Sequence, residues 1–418
     1  MLLKTILNRT VNYKHFVFGK ASFGKNKFGH PTIDVEIKPK KNSKAICSLC
    51  NQPRPGYDKL PKRRFEHVPF WGFLVFFVYA MRRVDCPECG VVVERVPWAN
   101  GKHHMTQSYS WYLAMWAKRL SWEEVARYFK STWYHVFRSV EMAVEWGLEN
   151  RSLSGILSIG IDEVLWHRGH HYLTVVYQID QVCRRLLWVG EERTAETLFR
   201  FFNWFGKERC QKLKFICSDM WKPYLKVIKR KAAHVLHILD RYHIVAMINK
   251  AIDEVRAGEA KKLQSEGKQP VLKHSRWILL KKPENLTEKQ DSKLADLLKM
   301  NLKTIKSYLL KEEFKQFWQY IYPAWAGKFI DRWTRKVMYS RIKPMKKVAK
   351  TIRKYKPLIL NWFKAKKQIS AACVEGLNSK LKLTFKKSYG FRTFRATEIQ
   401  LYHTLGDLPW PAFTHNFF

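Results

Sequence analysis

Hydrophobic and polar positions divide the first 150 residues into a strand-rich part and a helical part. Residues 68–81 form the longest apolar run of the chain, rich in Val and Phe, and they predict a buried strand. Helical patterns follow over residues 107–120, 121–129 and 133–142. Ser121 and Glu124 have the spacing of a capping box, which predicts a helix start there. Two short helices joined by a tight turn favour a helix-turn-helix, although any small helical bundle gives a similar pattern.

Beyond Gly155 the pattern changes to strands that alternate with helices. Strands are predicted at residues 156–163, 171–179, 184–189, 214–219 and 233–240, and helices at residues 194–205 and 221–229. Three strands, a helix and then alternating strands and helices are typical of an α/β fold with a ribonuclease-H-like sheet.

The charge of the chain is strongly one-sided. It has 77 Lys and Arg against 35 Asp and Glu, which gives a net charge of +42. Such a chain concentrates nucleic acid around itself, so we expect a nucleic acid as a partner. If the partner is double-stranded DNA, the affinity should fall as salt rises. A ribosomal or merely basic surface protein is the alternative, but ribosomal proteins are seldom 418 residues long with 17 Trp residues.

The sequence predicts neither a secretion signal nor a membrane segment. Its opening residues alternate apolar and basic groups, unlike a signal peptide. The longest apolar run is well short of the ~20 residues that span a bilayer. Close pairs of cysteines beside scattered ones favour a reducing compartment and one metal site over a disulfide framework. We therefore expect a cytoplasmic, nucleoid-associated protein.

Two C-x-x-C knuckles, Cys47-Ser-Leu-Cys50 and Cys86-Pro-Glu-Cys89, predict a metal site. Each directs two thiolates at one ion, and together they supply the four ligands of a closed structural Zn²⁺ site. The residues between them have strand patterns that could bring the knuckles together. His67, His103 and His104 are nearby rivals for a ligand place, and two unrelated cysteine pairs are the remaining alternative.

Two further sets of residues are candidates for contact with DNA. The second helix of the helix-turn-helix would enter a major groove and face the bases with Tyr134, His135, Arg138 and Ser139. Arg276 and Trp277 could reach DNA at the cut, with the Trp ring stacked on an unpaired base. An ordinary buried Trp beside a surface Arg is equally compatible with that pair.

Three acids occupy positions suited to a catalytic metal site. Asp162 lies on the first predicted core strand and Asp219 ends the fourth, so their carboxylates are expected to be neighbours. Two carboxylates held close bind Mg²⁺, a hard cation with oxygen ligands, and Glu375 would complete a two-metal site. On a predicted helix Asn378 shares the face of Glu375, and Lys382 lies two turns on, able to grip a DNA phosphate. Taken singly, each acid could equally be a solvated cap.

The long separation of Asp219 from Glu375 predicts an insertion. Residues 251–366 are rich in Lys, Leu and Glu at helical spacing, so we predict an all-helical insertion domain there. The expected domains are a zinc-binding β-rich domain at residues 1–100, a helix-turn-helix domain at 101–150, a ribonuclease-H-like catalytic core at 151–250 and 367–418, and the insertion at 251–366.

Several motifs in this order resemble the ISL3 family of bacterial insertion-sequence transposases. They cover the chain from Cys47 onward and include Gly160-Ile-Asp162-Glu163, Arg168-Gly-His170, Ser218-Asp219-Met-Trp-Lys-Pro-Tyr224, Asp240-Arg-Tyr-His243, Arg276-Trp277, Val374-Glu375-Gly-Leu-Asn378, Ser388-Tyr-Gly-Phe-Arg392 and Leu405-Gly-Asp-Leu-Pro409. Residues 369–373 depart from the Ser-Asn-Gly turn that relatives commonly carry before the glutamate.

The resemblance implies a DDE transposase. Asp162, Asp219 and Glu375 would be the catalytic triad, with Mg²⁺ or Mn²⁺ as cofactor. The front end would bind terminal inverted repeats, and the core would cut the element ends and join them to target DNA. A homo-oligomer is expected because two ends must be paired before joining. Residues expected to stand behind the metal ligands are Glu163, Asp240, His243 and Asn378, although Asp240 and His243 could equally cap the following helix.

Three other functions remain as alternatives. The first is a domesticated transposase that acts only as a DNA-binding regulator, which would be indicated by loss of a catalytic acid. The second is a nuclease that cuts without joining, such as a junction resolvase. The third is a ribosome-associated structural protein, for which the acids would be incidental. All three acids are present, so we expect the transposase.

Overall fold

A computed structural model describes residues 3–11, 13–101, 103–167, 169–366, 372–388 and 390–412. Arg168, residues 369–371 and Tyr389 of the motifs above lie outside the described residues. The chain divides into two compact units, of which the first is Met1–Ser152 with Leu383–Phe418 and the second is Leu153–Lys382. No helix in the described ranges has both the length and the apolar character that crossing a membrane requires.

The first unit begins with a mainly antiparallel β-sheet. Its first helix and its strands are α1 (Leu3–Thr10), β1 (Phe16–Lys25), β2 (Pro31–Pro39), β3 (Ala45–Ile46), β4 (Pro53–Arg54), β5 (Gly56–Phe70), β6 (Phe73–Cys86) and β7 (Gly90–Val93). The order in the five-stranded sheet is β1-β2-β6-β5, with β7 paired to β6. Only β2 and β6 run parallel in it, while β3 and β4 form a separate antiparallel pair.

An aromatic core fills one face of this sheet. Alternate residues of β2 and β6 are buried, as a half-covered strand requires. The ring of Trp98, 1% exposed, lies 4.8 Å from that of Phe16, 5.2 Å from Tyr79 and 5.3 Å from Tyr13 between ring centroids. Rings at these distances stabilise the core, because they bury a large apolar area and make edge-to-face contacts with one another.

The apolar run at residues 68–81 is two strands and not one, so the prediction of a single strand is wrong. β5 ends at Phe70 and β6 begins at Phe73, with Trp71 and Gly72 between them. Both turn residues have positive φ, 47° and 82°, which is the conformation of a tight two-residue hairpin. The side chain of Trp71 is exposed at the tip. Apolar residues at this turn hid the break between the strands.

Three helices follow the sheet in the first unit: α2 (Gln107–Trp116), α3 (Trp122–Tyr128) and α4 (Trp133–Asn150). The capping box is present, because the N–H of Glu124 donates to Ser121 Oγ and the N–H of Ser121 donates to a Glu124 carboxylate oxygen. α4 continues beyond the predicted end at residue 142, because its buried face extends through Val144 and Gly147.

The last helix, α15 (Phe394–Leu405), packs against α4. Arg395 donates from Nε to Glu141 at 3.0 Å and from a terminal nitrogen to Glu145 at 2.5 Å. These contacts place residues 383–418 in the first compact unit, whereas the predicted core included residues 367–418. Arg395 and its two glutamate partners lie in segments that are distant in the sequence, so no local sequence pattern predicts these ion pairs.

The second unit is built on a mixed sheet. Its first strands and helices are β8 (Ser158–His167), β9 (His171–Ile179), β10 (Arg184–Glu191), α5 (Ala195–Phe205), α6 (Lys207–Lys212), β11 (Phe215–Ser218), α7 (Lys222–Lys231) and β12 (Leu236–Leu239). The strand order is β10-β9-β8-β11-β12. β8, β9 and β10 are antiparallel neighbours, and β11 runs parallel to both β8 and β12. The predicted order of strands and helices is confirmed.

Helices complete the second unit. They are α8 (Arg241–Ser265), α9 (Arg276–Leu280), α10 (Glu288–Leu298), α11 (Lys303–Lys315), α12 (Pro323–Tyr339), α13 (Lys343–Lys364) and α14 (Ala372–Lys387), of which the last continues into the first unit. Residues 251–366 contain no strand. Trp333 is fully buried there and donates its indole N–H to the carbonyl of Leu310 at 2.9 Å. Asn361 of α13 donates to the carbonyl of His237 in β12 at 2.7 Å, so the helices are anchored on the sheet.

The aromatic core of the first unit depends on Trp98. We expect Trp98→Ala to lower the free energy of unfolding by about 3–5 kcal/mol, because it removes a fully packed ring and leaves a cavity. Chemical denaturation followed by circular dichroism measures this. Phe28→Ala is the control, since Phe28 is 72% exposed and its loss should change stability by less than about 0.5 kcal/mol. Equal effects of the two substitutions would contradict this description of the core.

Candidate active site and cysteine cluster

Acidic residues meet where three strands of the second sheet end. Asp162 lies in the middle of β8, Asp219 follows the last residue of β11, and Asp240 follows the last residue of β12. The three strands are parallel, and Cys217 lies opposite Gly160. Their carboxyl ends therefore reach one edge of the sheet, which brings Asp219 between the other two acids.

Helix α14 brings Glu375 to the same edge. Asn378, one turn after Glu375, is buried and donates from Nδ2 to Asp162 Oδ2 at 2.5 Å. Its Oδ1 accepts the hydroxyl of Tyr177 in β9 at 2.8 Å. Asn378 is thus held from both ends of its amide, while the side chain of Glu375 is exposed. The structure therefore places Asn378 beside Asp162.

Close packing of α14 on β8 depends on Gly160. A Cβ added to Gly160 would lie 2.5 Å from Val374 Cγ2 and 3.3 Å from Ile179 Cγ2. A carbon cannot approach a methyl group that closely, so a side chain at this position would push Val374 away. Val374 directly precedes Glu375 in α14. The absence of a side chain at Gly160 therefore lets this part of the helix, with Glu375, lie close to the sheet.

Asp219 is oriented through both carboxylate oxygens. Its Oδ1 accepts the backbone N–H of Trp221 at 2.9 Å, and its Oδ2 accepts a guanidinium N–H of Arg193 at 3.1 Å. Arg193 also donates from Nε to Glu163 at 2.8 Å, and its guanidinium lies 4.5 Å from the centroid of the Trp221 ring. The guanidinium therefore bridges two acids that would otherwise repel each other.

Arg193 was not among the site residues predicted from the sequence. Its position follows from the directions of the strands. β10 is antiparallel to β9, and β9 is antiparallel to β8, so β10 ends at the same edge of the sheet as β8. Arg193 comes two residues after β10 and for that reason reaches the acids.

Burial, and to a lesser extent mutual repulsion, raises the pKa values of several acids at this edge. Burial raises the pKa of Glu163 to about 8, and the charge of Asp219 adds to the effect. Burial likewise raises the pKa of Asp162, against hydrogen bonds from the N–H of Glu163 and from Asn378 that lower it. The pKa of Asp240 is raised to about 6 by burial, with added repulsion from Asp162 and Glu375. Negative charge is thus costly at this edge unless a cation is bound.

Asp240 caps helix α8, as one of the two alternatives predicted. Its Oδ1 accepts the N–H of Tyr242 at 2.8 Å, and His243 Nε2 lies 3.7 Å from its Oδ2. The cap does not remove Asp240 from the acidic cluster, because the charge of Asp162 still raises the pKa of Asp240.

The other residues predicted to touch DNA have different environments. In the second unit Trp277 is 60% exposed, so the alternative of a buried Trp is wrong, and Arg276 pairs with Asp253 at 3.1 Å. Lys382 is exposed on α14. These side chains are available to a ligand at the surface.

In the first unit the face of α4 is only partly as predicted. Tyr134 is exposed, His135 is half-buried and Arg138 is paired with Glu141. Ser139 differs, because it is buried and donates to the carbonyl of His135 at 2.7 Å. Its hydroxyl satisfies the helix backbone and is not directed to solvent, so its predicted contact with DNA is not available here.

The four cysteines of the two knuckles meet in the first unit. Their sulfur atoms all lie within 4.8 Å of one another, and in the described part of the chain no other group of three or more His, Cys, Asp or Glu ligand atoms is as close. The Sγ atoms of Cys50 and Cys86 are 3.7 Å apart. Backbone N–H groups of Cys50 and Leu49 hold the pKa of Cys47 below its usual value. Four sulfurs at such spacing suit a tetrahedral Zn²⁺ site.

No histidine belongs to that cluster among the described residues. His67 lies in a different part of the unit, where it is buried beside Phe77. Its Nδ1 is 2.9 Å from Thr106 Oγ1. The knuckles are brought together because Cys47 follows β3, while Cys86 ends β6 and Cys89 precedes β7.

Comparison with known proteins identifies the family. Residues 159–401 match the ISL3 family, described as transposase, and the chain therefore belongs to the ISL3 family of transposases. One relative, the transposase for insertion sequence element IS1001 of Bordetella parapertussis, is 28% identical over 364 residues, which cover 86% of this chain and 88% of the relative. Another, the transposase for IS1557 of Mycobacterium tuberculosis, is 25% identical over 400 residues, covering 87% and 86%.

Gly160 provides a test of how Glu375 is positioned. We expect Gly160→Ala to lower the transposition frequency of a marked element by roughly tenfold to a hundredfold, because Val374 must move and takes Glu375 with it. Gly376→Ala is the matched control, since a Cβ there meets no atom within 4 Å and should leave transposition unchanged. Wild-type frequency in Gly160→Ala would mean that the packing at Gly160 does not set the site.

The cysteine cluster predicts bound zinc. Purified protein should contain about one Zn²⁺ per chain by mass spectrometry of the metal, and Cys86→Ser should lose it and melt at a lower temperature. Cys183→Ser, outside the cluster, should keep both the zinc and the melting temperature. The site would be ruled out if wild-type protein purified without chelators contained no zinc and melted at the same temperature as Cys86→Ser.

Proposed function

We propose that this chain is a DNA transposase that binds the terminal inverted repeats of an insertion sequence, cleaves its ends and joins them to target DNA. The catalytic residues are Asp162, Asp219 and Glu375, acting with divalent metal ions. The observation that carries the proposal is the hydrogen bond from Asn378 to Asp162, because it links the helix of Glu375 to the strand edge that holds both aspartates.

The sheet supports a ribonuclease-H-like core. Three antiparallel strands followed by two parallel ones, in the order β10-β9-β8-β11-β12, are the arrangement expected of such a core. The helices between residues 251 and 366 interrupt it between Asp219 and Glu375, as an insertion would.

The donor set suits Mg²⁺ or Mn²⁺. All three proposed ligands are carboxylates, which hard cations prefer, and burial together with mutual repulsion makes a bound cation favourable. When bound, such ions activate the attacking oxygen and stabilise the leaving one.

The chain's own residues orient this site. Asn378 and the N–H of Glu163 fix both oxygens of Asp162, and the N–H of Trp221 fixes one oxygen of Asp219. Arg193 holds the other oxygen of Asp219 and compensates part of the negative charge. Fixed carboxylates need no rearrangement when DNA arrives, which favours the reaction. Glu163, Asp240 and His243 surround the ligands and tune their charge.

DNA binding is proposed for both units. The net charge of +42 supports contact with phosphates, and α3 with α4 is proposed as a helix-turn-helix that presents Tyr134, His135 and Arg138. The cysteine cluster would hold the adjoining strands through Zn²⁺. In the second unit, Lys382 and the exposed pair Arg276 and Trp277 would contact the DNA backbone or an unpaired base. Two ends must be paired before joining, so we propose a homo-oligomer that acts at the nucleoid.

The direct test is cleavage and joining in vitro. On DNA with the terminal repeats that flank the element, wild-type protein with Mg²⁺ should nick the repeat end and form joined products. Asp219→Asn should lower nicking by at least about a hundredfold, because it removes a metal ligand at nearly constant shape. Repeat binding by this variant should be unchanged in gel-shift assays.

The control for this test is Asp296→Asn, at an exposed position of α10, which should cut like wild type. Nicking without joined products would favour a nuclease that cuts only. Repeat binding without cleavage by wild-type protein would favour a DNA-binding regulator and refute the proposed catalysis.

A further inference from the structure

A large groove lies wholly within the first unit, away from the predicted DNA-reading face of α4. It has a volume of about 1010 Å³ and is lined by the α2–α3 connection, helix α3, the start of α4 and the segment that follows α14. We call it the basic groove, and its lining side chains of interest are Arg119, Arg127, Trp133, Lys387, Phe391 and Arg392. Tyr134, His135 and Arg138 line a separate depression.

Positive charge predominates in the basic groove. Four cations line it, Arg119 and Arg127 on the helix side and Lys387 and Arg392 on the side of the C-terminal segment. All four are exposed. Two carboxylates, Glu123 and Glu124, are also present, but Glu124 is occupied by the capping box with Ser121. Cations on two facing walls suit an anionic chain that passes between them.

Aromatic rings form the floor of the basic groove. Trp133 is 45% exposed and is stacked on Phe137, with centroids 5.4 Å apart and planes at 5°. Trp122 lies 5.5 Å from Trp133 and 5.5 Å from Phe391. Trp133 is therefore held rigidly by its neighbours while much of its ring is open to solvent. Such a ring is a ready platform for a further flat group.

The combination of rings and cations selects one kind of DNA. In a duplex the bases are paired inside and only their edges face the grooves, so base faces cannot stack on a protein ring. Unpaired nucleotides expose those faces, and proteins bind them with aromatic platforms flanked by basic side chains.

We propose that the basic groove binds unpaired nucleotides of DNA, with a base stacked on Trp133 and the neighbouring phosphates paired with Lys387 and Arg392. This inference rests on the proposed function, because a DNA end that is cut and joined offers unpaired nucleotides. It adds a single-strand site to the duplex-reading face proposed for α4.

The test uses single-stranded DNA that does not depend on the element. A fluorescent oligothymidine with one 2-aminopurine measures affinity by anisotropy and stacking by quenching of the base. Wild-type protein should bind it and quench it. Trp133→Ala should weaken binding by about tenfold and abolish quenching, while duplex affinity stays constant. Because Trp133 packs on Phe137, circular dichroism must show that this variant is folded.

A second variant keeps the test decisive if Trp133→Ala does not fold. The pair Lys387→Gln with Arg392→Gln alters exposed side chains and should weaken single-strand binding and reduce its salt dependence. Lys289→Gln with Lys299→Gln removes the same charge from exposed positions in α10 and just beyond it, and should have little effect. Equal losses in the two pairs, or unchanged quenching in Trp133→Ala, would overturn the proposal.

The same proteins separate this inference from the proposed function. If wild-type protein cuts and joins repeat DNA but the groove variants bind single strands normally, the groove proposal fails and the transposase proposal stands. If the groove variants lose single-strand binding but wild-type protein cuts no repeat DNA, the groove proposal stands and the catalytic proposal fails.

Discussion

Mutual repulsion among acidic side chains is the constraint on which the second unit depends. Parallel strands deliver Asp162, Asp219 and Asp240 to one sheet edge, and α14 adds Glu375. Burial and like charge together raise the pKa values of Asp162 and Asp240. The fold withstands this through Asn378, the N–H of Trp221 and the guanidinium of Arg193, which bind carboxylate oxygens directly. A divalent cation would relieve the remaining repulsion.

Much of this arrangement could be predicted from the sequence, because the periodicity of apolar residues and the acids at strand ends are both visible in short stretches of sequence. Apolar runs that end on acids indicated β8, β11 and β12, and the spacing of Ser121 and Glu124 indicated the start of α3. Helical periodicity predicted that Asn378 shares a helix face with Glu375. The hydrogen bond from Asn378 to Asp162 was not predicted. The two cysteine knuckles were equally visible, because metal ligands need that spacing.

The remainder depends on contacts between distant segments. Arg193 reaches the acids only because three antiparallel strands fix the direction of β10, and Gly160 matters only because Val374 packs above it. Arg395 unites α15 with α4 through Glu141 and Glu145, which no local pattern announces. Trp71 and Gly72 form a turn inside an apolar run, so composition alone suggested one strand. Ser139 is a polar residue that could contact DNA, but its hydroxyl donates a hydrogen bond to a backbone carbonyl of α4.

The proposed catalysis requires that Asp162, Asp219 and Glu375 hold divalent metal ions as one site. Crystals grown with Mn²⁺, with diffraction recorded at the manganese absorption edge, test this requirement most directly because the anomalous signal locates the metal. We expect anomalous peaks among these three carboxylates, with Asn378 still bonded to Asp162. Well-diffracting crystals with no peak at this edge of the sheet, or with manganese bound elsewhere, would contradict it.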